Sequence, residues 1–377
     1  MKKTVLFSLT IMLLSSCCEN ATDGENVSGY DNTPVANGQG LDYEDFYSID
    51  LQQTSSCIIT QIKKVSFLDS LIIILDANGV YSFNRNGNFM RRYGSKGHGH
   101  GEYINATSMW VDYANKKICL LDDFSSQILS YDVNGTLDGV RKFKSDALFR
   151  NALDVEPVDN EHLFVSKYLF QDQNEEFSLV DLKNEKVTMV ASYMMETQNT
   201  AESLGKHQFS IHNGNILCLC PFKKSVYSYT DKRLEARFDI VSSKSELTDN
   251  EIEEIKDFSF FTLSQYIDDD KFKGFTDVFE TDAHLFLGFS NYDYFIVNKT
   301  NNKGQSYSYQ IEENLLSLPI LNIVAEEDNY LVGVLYPWEK PDCKCKNDKA
   351  PFVENFVQLL HSLPEEGNPS LLFYKIK

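Results

Sequence analysis

Positive charge is scarce in this chain: 35 Lys and Arg stand against 55 Asp and Glu, for a formal net charge of -20 at pH 7. So acidic a surface is unsuited to neutralising nucleic-acid phosphates or docking on anionic headgroups, and nucleic acid is not an expected partner. Tryptophan is nearly absent, with two residues against 20 Tyr and 26 Phe, a balance that suits strands. The N-terminal apolar run, Val5 to Leu14, is too short to cross a bilayer as a permanent helix. Gly-x-Ser-x-Gly, HExxH, a phosphate loop and a Ca-binding loop are all missing, which removes the common local signatures of hydrolase, zinc protease and nucleotide chemistry. Disorder is excluded by a 42% hydrophobic and 13% aromatic composition, ample for a buried core.

What the chain has is a repeat. Phe83-Asn84-Arg85-Asn86-Gly87 returns after 48 residues as Tyr131-Asp132-Val133-Asn134-Gly135, with a glycine-rich stretch, Gly94 to Gly101, and apolar strands between. Short strands joined by Asn-Gly turns at a period of roughly 40 to 50 residues mark the blades of a β-propeller. The same aromatic or β-branched residue followed by a polar one recurs at Val180-Asp181, Tyr229-Thr230, Val297-Asn298 and Tyr374-Lys375, with separations of 48, 49, 49, 68 and 77. Six blades follow. Each anchor belongs to a third strand, preceded by an apolar second strand and by a channel-lining first strand near Val65, Trp110, Val155, Phe209, Val278 and Ile323. The chain ends on a third strand, and Phe46 to Leu51 reads as a strand ahead of the first blade. Left alone each would be a bare edge, so the N-terminal strand is expected to complete the sixth blade and close the ring.

The segments before the ring set the compartment. Met1-Lys2-Lys3 and the apolar run form a signal peptide over 1–16, and Leu14-Ser15-Ser16-Cys17 resembles the bacterial lipobox, which implies a diacylated Cys17. Acyl chains of this kind anchor a protein stably in a membrane. From Glu19 to about Asp42 the chain is mostly Asn, Gly, Thr, Ser and acids with almost no large apolar residue, so 17–42 reads as a flexible lipidated tether, leaving 43–377 for the propeller.

The glycine phrase Gly97, Gly99, Gly101-Glu102-Tyr103 and the Tyr-Asp-x-Asn-Gly turn look like NHL-type propellers. With the lipobox and Asn368-Pro369-Ser370-Leu371-Leu372, the chain from about Tyr43 to Lys377 resembles the six-bladed β-propeller lipoproteins of Gram-negative gut bacteria. That resemblance implies an outer-membrane, lipid-anchored protein, and it assigns no activity. His100 stands where the pattern calls for proline.

Two insertions explain the long spacings. Ser242 to Gly274 joins blade four to blade five, and Pro337 to Pro369 joins the second and third strands of blade six. Strand alternation brings both to one mouth of the ring, so they are expected to touch and to cap it, each partly helical: Thr248 to Glu251 is a cap-like start, and Phe352 to Leu363 has apolar residues at helical spacing. Packing together as a channel plug is the alternative use of these loops. Candidate mouth residues are His98, His100 and Glu102 of the glycine loop, Tyr292, Tyr336 and Trp338, and Phe258 and Phe261. Aromatic faces with polar neighbours suit sugar rings, while packing inside the insertions is the plainer use of most of them. His98, His100, Cys343 and Cys345 are ligand types for zinc, at a spacing that matches no familiar module; two turn histidines and an incidental cysteine pair are the plainer reading. Neither bound Zn nor bound Ca has a motif here. Cys218 and Cys220 share one strand face and are expected to be buried. The function these features favour is non-catalytic binding of a glycan, peptide or envelope protein at the capped mouth. The alternative is a metal-dependent lyase or hydrolase with its site on the propeller axis, where Glu156 and Glu326 fall near first strands.

Overall fold

The computed structural model describes residues 24–377 apart from 146, 168–174, 193–206, 221, 231–232, 249, 252–253, 255–266, 290, 346–349 and 351. Ahead of the ring lie β1 (Glu25–Val27) and β2 (Tyr43–Asp50). Blade one is β3 (Ile62–Leu68), β4 (Leu71–Asp76), β5 (Gly79–Asn84) and β6 (Phe89–Tyr93), paired in that order from the axis outward. Blade two is β7 (Ser108–Asp112), β8 (Lys117–Asp122), β9 (Gln127–Asp132) and β10 (Leu137–Lys142); blade three is β11 (Ala152–Pro157), β12 (His162–Lys167), β13 (Glu175–Asp181) and β14 (Lys186–Ser192). Blade four is β15 (Phe209–His212), β16 (Asn215–Leu219), β17 (Ser225–Thr230) and β18 (Arg233–Ile240); blade five is β19 (Asp277–Glu280), β20 (His284–Gly288), β21 (Tyr294–Asn298) and β22 (Lys303–Tyr307). A two-residue strand, β23 (Asn314–Leu315), precedes blade six, which is β24 (Ile323–Glu327), β25 (Tyr330–Leu335) and β27 (Ser370–Ile376), with β2 as its outermost strand. β2 runs antiparallel to β27 from Tyr43↔Ile376 to Asp50↔Ser370, so the ring closes as the bare edges required.

The residue types explain the elements. Second strands such as β4 are buried on both faces and read as continuous apolar runs instead of alternating. The polar half of each anchor serves the turn after it: Asn84 Oδ1 accepts from the Asn86 and Asn88 amides, Asp132 Oδ1 from Asn134 and Thr136, Asp181 Oδ1 from Asn184, and Asn298 Oδ1 from Thr300. Such a side chain replaces backbone partners that a tight turn cannot offer. Apolar residues gather in six clusters, one per seam between neighbouring blades. Cys218 and Cys220 are both buried in the seam of blades three and four.

Two expectations need correction. Residues 24–42 are no tether: Gly24 N donates to Asp239 Oδ2 at 2.7 Å, β1 adds to β18 in parallel, and the chain then follows β22 through Ser28 and Val35 bridges. Asn37, buried, donates to Ile320 O and accepts from Ile320 N, which brings the segment on to blade six. Backbone pairing needs no apolar side chains, so a polar composition concealed a strap across three blades. The blade-six insertion also differs from a mouth cap. It holds β26 (Lys344–Cys345), paired with β23, and α1 (Val353–Ser362), whose Val353, Phe356 and Leu360 are buried in the seam of blades five and six. Phe356 meets Phe46 of β2 edge-on at 6.3 Å. The helix is where spacing placed it, but its apolar face belongs to the ring. The cap-like start of the other insertion is a capping box, with Glu251 Oε2 accepting from Thr248 N at 2.7 Å and Thr248 Oγ1 accepting from Glu251 N at 3.4 Å. Contact between the two insertions, and Phe258 and Phe261, lie outside the described residues.

Candidate functional site

The mouth is the face bearing the second-to-third and fourth-to-first connections, and its main feature is an aromatic shelf. β25 ends at Leu335, and Tyr336 is then fixed by accepting a hydrogen bond from the Ile62 amide at 2.8 Å, which ties blade six to blade one. Burial pushes the Tyr336 phenol up, so it stays neutral. Trp338, in the 3-10 turn Pro337–Glu339, stacks on Tyr336 with ring centres 4.7 Å apart and 24° between planes, yet is 60% exposed. Beside it Asn322 Nδ2 donates to Glu339 Oε2 at 3.1 Å. Burial raises the Tyr309 phenol, Glu339 nearby adds to the rise, and a hydrogen bond with Asn322 opposes it. Tyr309 then packs at 5.4 Å on Tyr292, which is 62% exposed on a left-handed backbone, φ 67°. A tyrosine held in that region carries strain that the surrounding turn must fix. Tyr336, Trp338 and Tyr292 therefore share one polar and aromatic line from blade one to blade five.

The glycine loop contributes differently. His98 and His100 are exposed. Glu102 turns inward: its Oε2 accepts from Gly99 N at 2.7 Å and its Oε1 from Ser95 Oγ at 3.3 Å. A Cβ at Gly97 would lie 2.0 Å from that Oε2, so the glycines make room for the carboxylate, which staples the loop instead of facing a ligand. The zinc candidates are not brought together. Cys343 is buried in the seam of blades five and six, its thiol pushed up to about 11 by burial, whereas the histidines sit on the loop between blades one and two. Cys345 lies in β26. Among the described residues no group of three His, Cys, Asp or Glu is disposed to hold a metal ion.

Sequence reasoning noted Glu156 and Glu326 near first strands but missed the axial partners that hold them, which are far apart in the chain. Lys64 of blade one reaches past blade two to Asp154 Oδ1 at 2.7 Å and Glu156 Oε1 at 2.6 Å of blade three, and Ser108 of blade two donates to Asp154 at 2.6 Å. Opposite, His212 of blade four contacts Asp282 at 3.0 Å and Glu326 of blade six at 3.4 Å. Burial pushes Glu156 and Glu326 up, and the neighbouring Lys64 and His212 oppose it. For Lys64 burial acts downward, but the two carboxylates win and hold it protonated. Both first-strand acids thus already have side-chain partners, Lys64 and His212, that a metal would have to displace.

Comparison with solved structures places this architecture beside a Bacteroides fragilis NCTC 9343 protein named for its inferred export: 20% identity, 93% of this chain and 99% of that one covered, TM-score 0.74. A DUF4221 family member from Bacteroides vulgatus ATCC 8482 matches at 11% identity over 91% of this chain and 99% of that one, TM-score 0.49. At such identities the first likeness speaks for the fold. Comparison with curated proteins gives no match. The family described as a domain of unknown function, DUF4934, matches residues 32–375, starting inside the strap, and the chain belongs to that family.

Proposed function

We propose that this propeller is an envelope lipoprotein, held through a diacylated Cys17 in the outer membrane, that binds a neutral glycan without catalysis on the Tyr336, Trp338 and Tyr292 shelf. The observation that carries this reading is Trp338: its stacking on an anchored Tyr336 fixes one face, and its 60% exposure leaves the other for a sugar ring. Asn322 and Glu339 beside it are hydrogen-bonding partners for sugar hydroxyls. Titrating the full chain in detergent with a panel of neutral oligosaccharides tests this. Trp338→Ala is expected to weaken the best binder at least tenfold, equivalent to about 1.4 kcal/mol, at unchanged thermal stability. Undiminished binding by both Trp338→Ala and Tyr292→Gly would refute the shelf. Anchoring is read separately: a fatty-acid probe should label the wild type, and equal labelling of Cys17→Ala would refute the lipid assignment.

A further inference from the structure

At the outer rim of the same face, on the flank of blade one, the loop from Leu51 to Gln61 overhangs β5 and β6 to leave an open groove of about 560 Å³. Ser55, Ser56, Asn78, Phe89 and Arg92 line it, with Tyr81 beneath. In a chain of net charge -20, no acidic residue is among its lining, and Arg91 lines it as well. From these groups we infer that the groove binds an acidic saccharide, a uronic-acid unit with its carboxylate on Arg92.

The parts are held in place. Asn368 fixes the overhanging loop by donating to the Gln52 and Cys57 carbonyls at 3.0 and 3.3 Å and accepting from Ile59 N at 2.8 Å. Asp76, 2% exposed, takes the Thr60, Gln61 and Asn78 amides, so its carboxylate is spent on the loop. A bridge between Thr54 and Cys57 pinches the tip and presents Ser55 and Ser56. The Arg92 guanidinium lies over the Tyr81 ring at 5.7 Å, donates from Nη2 to Asn78 O at 2.9 Å and hydrogen-bonds the Tyr103 hydroxyl. A Cβ at Gly79 would come within 3.1 Å of its Nε and Nη2, so glycine there keeps the seat open. Among the described residues Arg92 has no carboxylate within ion-pair distance. Its planar fork matches a carboxylate bidentately, which an ammonium cannot do. Phe89 and Ile58, the latter 50% exposed, give an apolar floor for one face of a pyranose ring, and Ser55, Ser56 and Asn78 are placed for its hydroxyls.

Isothermal titration of the full chain with trigalacturonate, its neutral trigalactose counterpart and an acidic Glu-rich tripeptide tests this. Trigalacturonate is expected to bind, to weaken at least tenfold when NaCl rises from 50 to 500 mM, and to lose at least tenfold in Arg92→Gln. Arg92→Lys, which keeps the charge without the fork, should also fall well below wild type. Binding of trigalactose as tight as trigalacturonate would overturn the role of the carboxylate, and preference for the peptide would overturn the saccharide. Wild-type affinity in folded Arg92→Gln would overturn the groove as the site. Because neutral sugars are assigned to the Trp338 shelf, failure here leaves the Trp338 test standing on its own readout.

Discussion

Replacing Lys64 by Met removes the cation that holds two carboxylates at the axis. Lys64, Asp154 and Glu156 have side chains only 11%, 16% and 23% exposed, so the acids left behind would be mostly buried and adjacent. Breaking a buried pair by deleting one partner costs about 3–5 kcal/mol. With about 2.1 cal/mol/K of unfolding entropy per residue, the roughly 300 described residues correspond to a change in melting temperature of about 5–8 °C for that loss. Burial raises Glu156 and Lys64 lowers it, so the variant's Glu156 rises further. A carboxyl whose folded pKa lies above its unfolded value favours folding at low pH and ceases to do so as pH rises through the folded value. The deficit of Lys64→Met should therefore be full at pH 7 and shrink toward pH 5. Thermal unfolding followed by circular dichroism at the two pH values measures this. The triple change Lys64→Met, Asp154→Asn, Glu156→Gln should recover most of the loss, because no charge is then stranded. A melting temperature of Lys64→Met within 1 °C of wild type at pH 7, or a deficit that grows on acidification, would refute the reasoning.

Two further outcomes are expected. Phe356→Ala empties a fully buried site where α1 meets β2, and should cost about 3–5 kcal/mol in urea unfolding; a loss below about 1 kcal/mol would show that α1 does not support the ring. The hydrogen bond from Lys271, then those from Thr248, hold Glu251 down at about 2, against an ordinary value of 4.5. Its contribution is present above 4.5 and lost as pH falls toward 2, so the stability gap between wild type and Glu251→Gln should close over that interval, and a gap independent of pH there would contradict the capping role.

Blade count, strand order and ring closure were legible because they rest on strand and turn rules that local sequence carries. The turn after an anchor needs a polar side chain at a fixed place, and the second strand must be apolar on both faces. One such signal went unread: Leu75-Asp76 recurs as Leu121-Asp122, and each Asp accepts amides of the loop that enters its own blade, Thr60 and Gln61 in one case and Ile104 in the other. The strap was not legible, since Val27, Tyr30 and Val35 are too few to mark a packed segment and its pairing is carried by main chain. The axial cluster was hidden for another reason: Lys64 and Asp154 are 90 residues apart, and only the curvature of the ring brings alternate blades within reach. At the mouth, composition found Tyr292, Tyr336 and Trp338 but could not tell that Glu102 faces its own loop, a matter of one rotamer inside a glycine turn.

The pairing of β2 with β27 also has a temporal side. Lys375 and Glu44 are 331 positions apart, and the Ile59 amide waits for Asn368 across 309. Contacts this distant are the slowest a chain can make, because loop-closure entropy must be overcome before they return anything. Early blades can condense as they emerge from the ribosome, but β2 has nowhere to settle until Ser370–Ile376 arrives. Until then its edge and that of β25 stay open to strands of other molecules. A protein closed in this way is complete only with its last strand in place, so chaperones in the compartment where it folds have one long-lived species to guard: the five-bladed arc with both ends bare.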